Sequence, residues 1–322
     1  MARRLYGLDG LRGVAALIVL AMHTFGFAGG HLAVDFFFML SGYIMARTYE
    51  QRLLDGAMSV SGFLILRYRR LWPTMAVGAT LGLLAAALHG MAPAQLVPAY
   101  VFALLLVPAS AGLPYALNLP AWSIFYELTA NVLHGTVFAR LGRRGLWTTT
   151  AVMGLALIVI CALIAFPRML ETTTAGMQLL IVPRVLVSYL IGILIYRRFG
   201  DEAPFRLPYA LAIAGFVGYV ALVSVVPFAL WPLPFIFIVA PILMIAGLGE
   251  VRQSRILRLL GDMSFPLYAV HFPVLALVSI ANPGQLAIPL AWAGSVGLAL
   301  LWMRGVGGSM GSSTPTRIRP AV

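Results

Sequence analysis

What most constrains this chain is a succession of apolar runs, several of them roughly 17 to 22 residues long, separated by connections that hold most of the charge. A run of that length crosses the hydrocarbon of a bilayer as a helix, whereas barrel strands would read as short alternating segments. With 61% hydrophobic and only 10% charged residues, the chain uses lipid as its solvent, and a soluble globule is excluded. The expected fold is all-α, a polytopic membrane protein. The runs fall at about Leu11–Phe27, Leu32–Ala46, Trp72–Leu88, Leu119–Phe138, Leu146–Phe166, Met177–Tyr196, Pro208–Val226, Trp231–Leu248, Ser264–Ala281 and Ala287–Met303. An additional shorter piece, Leu96–Val107, is punctuated by Pro93, Pro98 and Pro108.

The net charge of +12 resides in arginine clusters between the runs: Arg3/Arg4, Arg47 to Arg70, Arg140 to Arg144, Arg197 to Arg206, Arg252 to Arg258, and Arg304 with Arg317 and Arg319. If Leu96–Val107 does not cross, every cluster falls on one side, leaving only Arg168 and Arg184 for the other. That contrast predicts ten transmembrane helices, both termini cytoplasmic, and a short re-entrant or interfacial segment. The charge is then a topology signal, and no nucleic-acid partner is expected. The lone Cys161 lies in an apolar run, which leaves no disulfide framework and no cysteine metal site. The first thirty residues imitate a secretory signal, but Arg12 interrupts it and a second span follows at Leu32, so it reads as a permanent span. Residues 1–303 form one membrane domain, and 304–322, poor in apolar residues, form an expected disordered cytoplasmic tail.

Within the apolar runs stand groups that lipid tolerates only for a reason. Arg12 and His23, in an Arg-x10-His spacing, look along one helical stripe roughly 16 Å apart at about 1.5 Å per residue. Asp35 opens the second span on the side of His23, where a carboxylate would hold an imidazole tautomer; the alternative is an Asp complementing its own helix dipole. Gly42 reads as a close-packing position. Arg67, Arg69 and Arg70, just before a span, suit the phosphates of an anionic donor, or equally lipid headgroups. Trp122, Ser123 and Glu127 lie on one helix, where Glu127 needs an arginine or hydrogen-bond partner. Ser264, Tyr268 and His271 occupy a late span, with Tyr268 and His271 three apart on one face. His134 lies nearly on the face of Glu127, and His31 and His89 read as loop or interfacial residues.

Taken in order, these fragments resemble the acyltransferase-3 family of integral membrane O-acyltransferases. The likeness covers nearly all of residues 5–300 and rests on Leu8-Asp9-Gly10-Leu11-Arg12 with His23, on Val34 to Gly42, on Arg67 to Pro73, on Trp122-Ser123 with Glu127, and on Ser264 to His271. The chain departs from the family after Glu127, where Leu-Thr-Ala-Asn replaces aromatics, and in lacking a Glu-x-Pro ending after the last span. The resemblance implies transfer of an acyl group, commonly acetyl from acetyl-coenzyme A, to a hydroxyl of a glycan or other acceptor in a bacterial inner membrane. It implies no bound cofactor, acyl-CoA as co-substrate and a saccharide acceptor as partner. On this reading His23, oriented by Asp35, is the general base, and Arg12 with Arg67, Arg69 and Arg70 holds the donor. Trp122, Ser123, Glu127, Ser264, Tyr268 and His271 support them. The alternative is a secondary transporter or flippase for a lipid-linked glycan, whose substrate path would use the same intramembrane charges and the proline-broken segment Pro227–Pro241.

Overall fold

The computed structural model describes residues 3–109, 113–164, 175–226, 230–249, 251, 253–281 and 284–307. Pro227, Arg168, Arg252 and the tail beyond residue 307 lie outside the described residues. The described residues form helices and turns with no strand. In chain order the helices are α1 (Tyr6–Phe25), α2 (Leu32–Met45), α3 (Val60–Leu88), α4 (Pro93–Leu105), α5 (Trp122–Thr136) and α6 (Arg143–Ile164). There follow α7 (Ala175–Phe199), α8 (Tyr209–Val225), α9 (Pro232–Leu248), α10 (Arg255–Ala281) and α11 (Ala287–Trp302).

Among the described residues, six helical stretches are long and apolar enough to cross a membrane: α1, α2 with its flanking turns, α3, most of α6, α10 and α11. The short α4 lies against α3: the Tyr68 hydroxyl and the Trp72 indole N–H both donate to the Leu104 carbonyl, at 3.1 and 2.8 Å, and the Thr80 and Tyr100 hydroxyls pair at 2.9 Å. At about 1.5 Å per residue, this helix reaches roughly 20 Å, short of the roughly 30 Å of hydrocarbon. Two boundaries differ from the sequence reading. Helix α3 starts at Val60, capped by Ser59, whose hydroxyl accepts from the Gly62 N–H at 3.1 Å, so Arg67, Arg69 and Arg70 are helical rather than part of a connection. Likewise α10 starts at Arg255, nine residues before the apolar run.

Between lipid-solvated helices the hydrophobic effect gives little preference for association, so close packing and internal polar pairs hold the bundle together. Helices α2 and α7 touch backbone to backbone: a Cβ on Gly42 would meet the Tyr189 carbonyl, and one on Gly192 the Met39 carbonyl. Between them runs a fully buried ion pair, with Arg184 donating from Nε and Nη2 to the two Asp35 oxygens at 2.7 and 2.6 Å. Helices α1, α3 and α10 run in the same direction, with Arg12 beside Gly261, His23 beside His271, and Gly78 beside Ala269. Pro273 within α10 has no N–H, which frees the Ala269 carbonyl, and Asn118 donates to it instead at 2.9 Å. Large apolar side chains on the outer faces, including Leu84, Leu155, Leu163, Leu211 and Leu301, form the surface that lipid would cover.

Candidate active site

Gly261, Ser264, Tyr268, His271 and Phe272 stand at successive levels along α10, and the site is built upward along them. At the lowest level the Arg12 guanidinium donates to the Gly261 carbonyl, which also accepts the Ser264 hydroxyl at 2.7 Å; Asp9 lies 3.5 Å from the same guanidinium. Above it opens a cavity of about 560 Å³ walled by α1, α2, α3, α5, α10 and the end of α11. Arg12, Arg67, Arg70 and Arg258 line it, against the two carboxylates Glu127 and Asp262. Glu127 is occupied: Arg67 donates to it at 2.6 Å and the Ser41 hydroxyl at 3.2 Å. Arg70 has no carboxylate partner among the described residues, and the Nε–H groups of Arg12 and Arg67 are buried without an acceptor there. A ligand rich in anionic oxygens would supply what these donors lack.

At the upper end of the cavity the Ser123 and Tyr268 hydroxyls pair at 2.7 Å, and both lie 3.1 Å from the Pro120 carbonyl. None of these partners takes a proton readily, so Ser123 is not arranged as a nucleophile. One turn on, the His271 Nδ1 sits 2.8 Å from the Tyr268 carbonyl, and its Nε2 sits 3.1 Å from the Nδ1 of His23. A carbonyl only accepts, so Nδ1 of His271 carries the hydrogen and its Nε2 is an acceptor in the neutral ring. His23 therefore donates from Nδ1, sharing that hydrogen with the Val19 carbonyl at 3.0 Å, and its own Nε2 keeps a lone pair. His271 is buried while His23 is half-buried, so the lone pair belongs to the more accessible ring.

The structure thus gathers Arg12, Arg67, Arg70, Ser123, Glu127, Ser264 and Tyr268 around one cavity, with His23 and His271 one turn beyond it. It corrects the expected pairing of Asp35 with His23: both oxygens of Asp35 are held by Arg184, because a carboxylate in an apolar interior takes the guanidinium that α7 presents. Arg69 is exposed and does not line the cavity. Trp122 packs against Phe38 and Tyr126 beside it. His134 is buried between Phe63 and Tyr189, away from the site, and His31 is buried rather than interfacial. Sequence reasoning missed the partnership of His23 with His271 and that of Asp35 with Arg184, a residue it read only as a charge on the far side of the membrane.

A family model described as an acyltransferase domain matches residues 5–303. The chain is 35% identical to "Protein 2 in picA locus" of Rhizobium radiobacter over 49% of this chain and 92% of that protein. It is 29% identical to "Acyltransferase MdmB" of Streptomyces mycarofaciens over 95% of this chain and 89% of the other. A shorter stretch, 22% of this chain and 12% of the relative, is 40% identical to "Peptidoglycan O-acetyltransferase OatA" of Listeria monocytogenes. No solved structure gives a significant match.

Proposed function

The chain belongs to the acyltransferase-3 family and is a multi-pass membrane acyltransferase, and from that premise we propose that it moves an acyl group, acetyl in the first instance, from acyl-coenzyme A to the hydroxyl of a glycan, with His23 as general base. The observation that carries this reading is the arrangement of an arginine-walled cavity leading to a histidine pair whose hydrogen bonds leave Nε2 of His23 unprotonated. Arg12, Arg70 and Arg258 would meet the donor's phosphates, with the thioester directed toward Tyr268. In the transfer, Nε2 of His23 accepts the acceptor's hydroxyl proton as its oxygen bonds to the thioester carbonyl carbon. The C–S bond then breaks, and the departing thiolate takes the proton back from Nε2. The acetyltransferase activity in the name of the Listeria relative supports a saccharide acceptor. The proposed setting is the bacterial inner membrane, with the arginine-rich face cytoplasmic.

The test is acetyl-coenzyme A turnover by protein in lipid discs, read as free coenzyme A with and without candidate glycans. A positioned base contributes about 10²–10⁴-fold, so His23→Ala should lose at least about a hundredfold. Retention of more than about a tenth of wild-type rate would sink the base role.

A further inference from the structure

The histidine pair separates two hollows. Beyond the arginine-walled cavity, which ends at Tyr268, a second cleft of about 390 Å³ lies between the far end of α3, the start of α4 and the upper part of α10. Its α10 wall begins at Phe272, one turn or about 6 Å above Tyr268. The Phe272 ring stands edge-on to His23, with centroids 5.3 Å apart. His271 and His23 occupy the level in between, and Phe272, which lines the second cleft, carries the contact from that cleft to His23.

The two linings differ in chemistry. Four arginines and two carboxylates face the first. Among the described residues no Asp, Glu, Arg or Lys faces the second; small residues such as Gly82, Ala85 and Ala276 leave room beside His89 and Gln95. His89 directs Nδ1 to the Ala85 carbonyl at 3.1 Å, so its Nε2 is an acceptor in the neutral ring, and an amide both donates and accepts. Uncharged walls that donate and accept suit an uncharged, hydroxyl-bearing ligand and offer nothing to neutralise the phosphates of coenzyme A.

Resting on the acyl-transfer reading, we infer that the second cleft is the acceptor subsite: it admits a neutral polyol or saccharide hydroxyl from the membrane face opposite the donor's mouth, with Phe272 as the wall that sets the approach to His23. Donor and acceptor then never share a vestibule.

The experiment uses Gln95→Cys and Arg258→Cys, each in full-length Cys161→Ser protein reconstituted in oriented vesicles and treated with a membrane-impermeant maleimide, with maltose and glycerol as hydroxyl probes. The expected result is that the two positions react from opposite faces, and that alkylation at position 95 lowers acyl transfer to the probes at least tenfold. Ala276→Leu, which narrows the cleft without a label, should raise the probe KM by a similar factor while the acetyl-coenzyme A KM stays within twofold. Reaction of both positions from one face, or undiminished transfer after alkylation, would overturn the assignment. Absence of thioester cleavage by the unlabelled Cys161→Ser protein, with Gln95 and Arg258 in place, would instead strike down the acyl-transfer reading beneath it, and the subsite with it.

Discussion

A histidine serves as a base only when one ring nitrogen is relieved of its proton, and at His23 this falls to a second imidazole and two backbone carbonyls. His271→Ala should therefore lower kcat by about tenfold or more with the acyl-CoA KM within twofold, since orientation rather than the base itself is lost. His271→Gln, which offers an amide oxygen to the His23 N–H, should recover part of that loss; kcat measured beside KM checks both. Asp35 and Arg184 make a different case, because both are buried and each charge depends on the other. Asp35→Asn should cost about 3–5 kcal/mol by leaving a guanidinium without its carboxylate. Replacing both partners with leucine and methionine should recover most of it, as read by thermal unfolding in detergent. Sequence pointed to Arg12, His23, Glu127 and His271 because an ionisable group in an apolar run needs a reason. Which of them meet depended on helix neighbours, and no spacing within α1 or α2 says that α10 and α7 supply the partners.

The helices owe their placement to a few positions where backbone approaches backbone. Gly42 and Gly192 let α2 and α7 meet at their carbonyls, and that contact brings Arg184 level with Asp35. In α10 the proline that interrupts hydrogen bonding just past His271 is answered from another part of the chain by Asn118. Asn118→Leu should cost about 1–3 kcal/mol, the penalty for a buried carbonyl without a donor, and Pro273→Ala in the same protein should recover much of it by returning a helical N–H; thermal unfolding of the two variants decides. The apolar runs made most helices legible, since length and hydropathy suffice to read a span. Their starts were less legible: α3 and α10 begin well before their apolar runs, because a cap and helix-forming arginines extend a helix past the point where lipid would demand one.

Across the whole molecule the ion pairs divide by position. Asp201, in the connection after α7, takes two hydrogen bonds from Arg47 at 2.6 Å and one from the Tyr43 hydroxyl at 3.0 Å, and the Arg47 bonds hold its carboxyl below the ordinary aspartate range. A carboxylate with a depressed native pKa adds stability that is fully present above the unfolded value, about 3.9, and is lost as pH falls through the native one. Asp201→Asn should lower stability near neutrality, where the contribution is fully present, and bring the unfolding profile together with that of the wild type well below about pH 4, so that the acid limb flattens. The contact of α1 with α10 carries one more consequence, in time rather than in space. Helix α1 holds Arg12 and His23, yet Gly261 and His271 are synthesised some 250 residues later. At roughly 5–20 residues per second, the nascent chain waits tens of seconds with those polar groups unanswered by α10. A chain arrested before Arg255 would hold every arginine cluster of its amino-terminal half and still have no site, because the partners of Arg12 and His23 on α10 come only near the end of synthesis.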